Sequence, residues 1–314
     1  MAKFDISFVG LTILDISGRP VAGIPEGGNV EFIEEIRLNP AGTAAGAVIN
    51  AAKLGAKVRT VACVGADEKG DFIADTYRRL GIDIEMLQRT SDVPTSATIL
   101  PIRPNGERPA LHVRGASDHL FVAEADFEAV CDARFLHHGG TGLLEAMDKG
   151  QSARLLAHAK AKGLTTSFDL IAPNETTLEL LKSLLPSVDF FMPSMEEAAF
   201  LSGHDEPADI AAFFLGLGAG CCIFKWGEKG SFVANGDGQQ RVPAYKVEVA
   251  DTTGCGDSYC GGFLTGLSLG WDLEKACRLG TAASGLVATG LGSDAGVVDL
   301  ETTLRFMETA ETLP

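Results

Sequence analysis

Basic residues are in short supply: 26 lysines and arginines face 42 aspartates and glutamates across 314 residues, a formal charge of −16. That field repels phosphate backbones and anionic membranes at long range, which argues against nucleic acid or a membrane surface as a partner. An anionic substrate stays open only where local cations, backbone amides or a metal overcome it. Long apolar runs are missing as well. The longest uncharged stretches, 210–224 and 279–293, contain several glycines and fall short of the roughly 20 residues a membrane helix needs. The first ten residues, MAKFDISFVG, carry no basic region leading into a long apolar one and no small-residue cleavage site, so no export is expected. Paired cysteines are absent: the seven, at 63, 131, 221, 222, 255, 260 and 277, form no CxxC pair and read as reduced thiols in a cytoplasm. The neighbours Cys221 and Cys222 point to opposite faces if they lie in a strand. The phosphate-cradling GxxxxGK[ST] motif does not occur, so a P-loop kinase is not supported.

What is present is an alternation of short apolar runs with helix-length amphipathic segments, the pattern of a sheet covered by helices on both faces. The fold class is therefore α/β. Strands are expected over 4–10, 58–64, 134–138, 164–168, 188–192 and 221–224, and helices over 44–54, 68–80 and 151–162. The helix over 68–80 aligns Phe72, Ile73, Thr76, Tyr77 and Leu80 on one face, suited to packing on a sheet. Two stretches, 30–38 and 96–114, read as strands with no helix between. In the second, Pro104-Asn105-Gly106 predicts a hairpin turn joining 98–103 to 108–113. Inserted strands of this kind would form a small flap beside the carboxyl ends of parallel strands, placed to close a ligand crevice or simply to complete the main sheet.

The segment 249–257, Val-Ala-Asp-Thr-Thr-Gly-Cys-Gly-Asp, leads into a small-residue helix expected over 258–269. Gly254 and Gly256 leave the backbone bare where that helix begins, so free N–H groups and the positive dipole end can face an anion. Asp257 would stand beside that anion, where a carboxylate serves as a base taking a proton from an attacking hydroxyl. The alternative is an ordinary helix start with Asp in its first turn. A thiol at Cys255 is either lowered in pKa by the helix end and reactive, or buried and present only for its amide.

The string DTTGCGD resembles the DTTGAGD signature of the ribokinase-like, or PfkB-type, carbohydrate kinases, with Cys255 in place of the usual alanine. Further segments in family order extend the likeness across nearly the whole chain. Gly10 to Asp15 resembles the opening strand and substrate-binding aspartate, and Val64-Gly65-Ala66-Asp67 to Gly70 the VGxDxxG segment. Pro193 to Glu197 is similar to the PNxxE motif with Ser194 for its asparagine, Lys225 to Gly230 to the nucleotide-proximal turn, and Gly292 to Ala295 to a late glycine-rich loop.

The resemblance implies a single three-layer α/β/α kinase domain over 1–314, with a mainly parallel central sheet and a β-sheet lid made from about 11–40 and 94–116. It implies an ATP-dependent, Mg2+-assisted transfer of phosphate to a sugar or sugar-like hydroxyl, the alternatives being a nucleoside kinase or an inactive sugar-binding regulator. By the same resemblance, Asp257 is the base and Gly254, Cys255 and Gly256 form the anion hole. Glu197 organises Mg2+ through water, and Ser194, Lys225, Gly227 and Gly292 lie at the nucleotide. Asp15, Gly42, Gly46 and Arg114 lie at the substrate, and Asp251 and Thr253 match positions that in some members help bind a monovalent cation such as K+. It further implies a homodimer through the lid.

Simpler roles stand beside these. Ser194 and Glu197 also spell a capping box, Asp15 could start a turn, and Lys225 could end a strand in solvent. Arg103 and Arg114 suit an exposed edge strand, and His137 and His138 read as strand residues without a second ligand cluster. The chain also departs from the family. Its Gly-Gly-x-x-x-Asn sugar segment appears as Ala41-Gly42-Thr43-Ala44-Ala45-Gly46, so the amide expected at 46 is missing.

Overall fold

The computed structural model describes residues 2–314. Its strands are, in chain order, β1 (Phe4–Gly10), β2 (Ile13–Arg19), β3 (Glu35–Ala41), β4 (Val58–Gly65), β5 (Asp83–Thr90), β6 (Ala97–Pro101), β7 (Leu111–Val113), β8 (Ala133–Thr141), β9 (Thr165–Leu170), β10 (Phe190–Phe191), β11 (Cys221–Lys225), β12 (Ser231–Asn235) and β13 (Gly238–Val242). Nine of them form one sheet in the order β13, β12, β11, β10, β9, β8, β1, β4, β5. Every pairing from β11 across to β5 is parallel, and β12 and β13 add an antiparallel edge.

Strands covered on both faces are largely apolar on both, which is why β11 opens on the run 221–224 and why β1 and β4 carry few polar residues, Asp5, Ser7, Arg59 and Thr60, among apolar ones. Alternate side chains then feed two separate cores. Ile6, Phe8 and Cys221 pack with Ile49 and Phe263 on one side, while Val9, Leu136 and Cys222 pack with Leu156 and Phe214 on the other. The two adjacent cysteines do point to opposite faces, and all seven are unpaired thiols. The helices Thr43–Lys53, Glu68–Arg79 and Gln151–Ala161 appear where the amphipathic patterns predict them. The small residues of helix Cys255–Ser268 allow unusually close packing: a Cβ at Gly261 would lie 2.4 Å from the Ala47 carbonyl oxygen.

The remaining four strands make a second sheet in the order β3, β2, β6, β7, antiparallel except for the parallel pair β2 and β6. It draws on Ile13–Arg19, Glu35–Ala41, Ala97–Pro101 and Leu111–Val113. The details differ from expectation. The strand expected over 30–38 lies at Glu35–Ala41, and Ile13–Arg19 is a strand the apolar pattern did not reveal. The hairpin ladder is also shorter than expected. Gly106, at φ +83°, does turn the chain, but pairing between β6 and β7 stops at Ile99 and Leu111. Pro109 has no N–H to give to a ladder, and Ile102 donates instead to Gly18 of β2.

Candidate active site

The carboxyl ends of the parallel strands converge on one crevice, as open α/β sheets require. Helix Cys255–Ser268 begins there at Gly254, held at φ +73°, where a Cβ would sit 2.4 Å from that of Ser293. No side chain caps this end, and the Gly256 and Asp257 amides find no acceptor among the described residues. Unpaired N–H groups at the positive end of a fourteen-residue helix are an anion-binding arrangement. It opens onto a cavity of about 390 Å³ lined by Thr43, Asp169, Ser194, Glu197, Lys225, Gly227, Gly256 and Asp257.

Asp257 is fixed by steric contact. A Cβ at Gly46 would lie 2.6 Å from the Asp257 Cβ and 2.9 Å from its Oδ2, so the side chain of the aspartate occupies the space an asparagine at 46 would need. Burial pushes the Asp257 carboxyl above the ordinary aspartate range, Lys225 and Arg108 oppose this, and Glu197 adds to it. A carboxylate raised toward neutrality is a better proton acceptor than an exposed one.

Lys225, at the end of β11, is not a solvated strand end. Its Nζ lies 2.5 Å from Asp169 Oδ2 at the end of β9 and 3.2 Å from where a Cβ on Gly256 would be. Burial alone would lower its pKa, but Asp169, Cys260 and Glu197 hold it charged and above the ordinary lysine range. Ser194 and Glu197 do form the capping box, with Ser194 N–H donating to Glu197 Oε2 at 2.9 Å and Glu197 N–H to Ser194 Oγ at 3.1 Å. The same glutamate lines the cavity, its carboxyl raised by burial and by Asp169. Capping and a place in the site are thus compatible.

Asp15 lies on β2 in a row that crosses the second sheet as Asn39, Asp15, Thr98 and His112. It faces inward, 5% exposed, and its Oδ1 has no partner. Burial raises its carboxyl to about 7, Thr98 offsetting part of the rise while Asp257 and Asp251 add to it. Beneath it, Gly42 precedes helix Thr43–Lys53, whose first hydroxyl, Thr43 Oγ1, is buried and unpartnered beside Asp257.

Other expected site residues stand elsewhere. Arg114 is turned to Asp118, with bonds of 2.7 and 2.6 Å, and does not join this group. Arg103 pairs with Glu107. Gly292 lies against Asn39 and donates its N–H to Asp251 rather than lining the cavity of Lys225 and Gly227. Asp251 also accepts from the Thr253 N–H and hydroxyl, at 3.0 and 2.7 Å. Cys255 is not activated: burial, reinforced by Asp251, pushes its thiol up to about 12. His137 and His138 are buried strand residues bonded to Ser167 and Ser152.

The motif reading passed over Asp169 and Arg108. Asp169 is the one charge in an otherwise uncharged strand, itself a usable signal. Arg108, next to the Asn-Gly turn, reaches across to donate to Thr253 Oγ1 at 2.8 Å, a contact visible only once the lid is folded over the crevice.

A divalent cation with phosphates fits this donor set. Asp169, Glu197 and Asp257 bring three carboxyls to a cavity with one lysine. No cluster of three or more metal-ligating side chains exists among the described residues. An ion there would take most of its ligands from water and phosphate oxygens, the habit of Mg2+.

Comparison with known proteins places the chain in a family and a fold. Residues 3–299 match the pfkB family carbohydrate kinase family. The chain is 27% identical over 270 residues to the ATP-dependent 6-phosphofructokinase of Thermoanaerobacterium thermosaccharolyticum, covering 83% of this chain and 82% of that one. It is 27% identical over 278 residues to the ribokinase of Haemophilus influenzae, covering 86% and 87%. A protein of E. coli, solved in complex with ATP and Mg2+, superposes with a TM-score of 0.82 at 24% identity, covering 97% of this chain and 99% of that one.

Proposed function

The chain belongs to the pfkB family of carbohydrate kinases, and on that premise we propose that it transfers the γ-phosphoryl group of ATP directly to a hydroxyl of a sugar or sugar-like molecule, with Asp257 as the base. The observation that carries this reading is the meeting, in one cavity, of free amides at 256 and 257, the raised Asp257 carboxyl and the charged Lys225. Asp257 takes the proton of the acceptor hydroxyl as its oxygen bonds to phosphorus and the bond from phosphorus to the ADP oxygen breaks. The amides of the 254–257 turn and the Lys225 ammonium receive the charge on the phosphoryl oxygens. Asp15 and Thr43 support a sugar-binding role, since each offers a buried polar atom with no partner.

A second cavity of about 310 Å³, lined by Tyr245, Val247, Val249 and Ala288, shares Gly227, Cys255 and Ser284 with the first. Its apolar walls suit a nucleotide base, with the triphosphate running past Gly227 toward the turn. Glu197 would hold Mg2+ through water. When bound, the ion neutralises phosphate charge.

The relatives' names span a sugar phosphate and a free sugar, so the acceptor is the open choice. The lid's outer face suits a homodimer: Leu38, Ile16, Ile99 and Leu111 form an apolar row across it, and Ile99 and Leu111 are more than half exposed. Seven unpaired thiols suit a cytoplasmic setting, and no helix among the described residues is long and apolar enough to cross a membrane.

The test is ATP consumption with Mg2+ against a panel of sugars, sugar phosphates, sugar acids and nucleosides. Stoichiometric ADP and phosphorylated acceptor with at least one of them is the expected result. Acceptor-independent ATP hydrolysis, or no turnover with any, contradicts the reading.

A further inference from the structure

The family resemblance points to a monovalent cation at Asp251 and Thr253, but the side chains there are engaged with one another and with the chain. Asp251 Oδ1 accepts from both polar groups of Thr253, and its Oδ2 accepts from Gly292 N–H at 3.0 Å. The Thr253 hydroxyl donates a hydrogen bond to Asp251 and accepts one from Arg108. The side-chain oxygens of these two residues are already bound to donors.

The adjoining loop, 291–294, is where positive charge is found. It lies directly behind the anion hole, since Ser293 fills the space a Cβ on Gly254 would take. Three of the four carbonyl oxygens in this loop, the kind of dipole that ordinarily coordinates a monovalent ion, receive a donor from elsewhere in the chain, and the fourth, Gly292 O, accepts from Ala295 N–H. The Arg37 guanidinium donates to Leu291 O, Asn50 Nδ2 to Ser293 O at 3.0 Å, and Lys53 Nζ to Asp294 O at 2.7 Å. The Asp294 carboxylate joins the two cations, taking Arg37 Nη2 at 2.7 Å and Lys53 Nζ at 2.8 Å. Only 17% of the Lys53 side chain and 15% of that of Asp294 is exposed, so this pair is shielded from the screening that makes surface ion pairs weak.

We propose that Lys53 and Arg37 are resident cations that hold loop 291–294 against the Gly254 turn, so that this kinase needs no monovalent metal ion. The proposal rests on the reading of 254–257 as the anion hole. Both residues act through the loop and touch no reacting atom, which makes them positioning residues. Helix Thr43–Lys53 supplies Lys53 from its last turn and Asn50 from one turn earlier, while β3 supplies Arg37, so the loop is clamped between the lid and the main domain.

The test uses the full chain in KCl, NaCl or choline chloride at equal ionic strength, about 0.1 M. One arm needs no substrate: the unfolding midpoint should agree among the three salts within about 1 °C, because an ion that does not bind the native state cannot stabilise it. A rise of several degrees confined to KCl overturns the proposal. The second arm measures turnover with an acceptor found by the panel. Equal rates within about twofold are expected, and K+ activation of about tenfold or more overturns it. Absence of turnover with every acceptor in every salt would instead count against the kinase reading, leaving the first arm to decide the cation question. Lys53→Ala should lower kcat by about tenfold or more with KM for the acceptor unchanged, and added K+ or ammonium should recover part of the loss. A fall that no monovalent cation touches would make Lys53 a packing residue and overturn its role as a resident charge. If that variant does not fold, the wild-type salt comparison alone decides.

Discussion

The floor of the crevice and its lid both bury carboxylates, but they support them differently. In the floor, Asp169 at the end of β9 and Asp257 and Glu197 in the first turns of two helices share the Lys225 ammonium, which pulls each of them toward the charged form. In the lid, β2 turns Asp15 and Ser17 inward while its neighbours present Leu38, Ile99 and Leu111 to solvent. Asp15 has a hydroxyl from Thr98 and a more distant Arg108 for support, and it rises to about 7. The floor carboxyls thus gather around one buried cation, whereas Asp15 in the lid has no cation in contact among the described residues. A surface that must receive a ligand keeps polar atoms unsatisfied until the ligand arrives, at a cost in stability.

The sharpest way to break the floor is to remove its only lysine. Lys225→Met leaves Asp169 as a buried carboxylate without a partner, which should destabilise the fold by about 3–5 kcal/mol in denaturant titration. The double variant Lys225→Met, Asp169→Leu removes both charges and should regain most of that loss while staying far less active. Undiminished stability in the single variant would mean that water or a proton already substitutes for the ion pair.

The lid should respond in the opposite direction. Because the folded pKa of Asp15 lies above its unfolded value of 3.8, the folded state binds the proton more tightly. Its contribution therefore favours folding at low pH and is lost as pH rises from about 4 through about 7. Asp15→Asn should accordingly raise the unfolding midpoint at pH 8, by up to a few kcal/mol in stability, while weakening the acceptor's KM by about 10-fold to 100-fold. In the wild type, kcat/KM for the acceptor should fall as pH drops below about 7, as Asp15 takes up a proton and turns one of its two accepting oxygens into a donor. A variant both less stable and unchanged in KM would place Asp15 among purely structural groups.

How far the sequence could be read follows the same division. The central sheet was legible because strands covered on both faces are mostly apolar, as β1, β4 and β11 are despite Asp5, Ser7, Arg59 and Thr60. The turn at 254–257 stood out through the family resemblance, since bare glycines before a helix fit an ordinary helix start as well as an anion hole. β2 escaped because its buried row is the polar one, Asp15 and Ser17, so the usual assignment of apolar residues to the inside fails there. The hairpin ladder was overextended because the Asn-Gly signal outweighed Pro109. Residue 46 looked like a lost ligand until the Asp257 side chain was seen in the space, and Arg108 could not be preferred over Arg103 or Arg114 without the fold.

The smallest expected effect concerns Cys255. With its thiol pushed up to about 12, little thiolate forms at neutral pH, and the residue contributes its backbone to the turn. Cys255→Ala should change kcat and KM by less than about twofold. A larger loss would show that the sulfur itself touches nucleotide or substrate.

The central claim is that one carboxylate, set beside free helix-end amides, accepts the proton of the attacking hydroxyl. Steady-state turnover of Asp257→Asn at saturating ATP and acceptor, with acceptor affinity measured separately, tests it most directly. The account predicts a fall in kcat of about 10²-fold to 10⁴-fold with affinity broadly retained; wild-type turnover in that variant would contradict it.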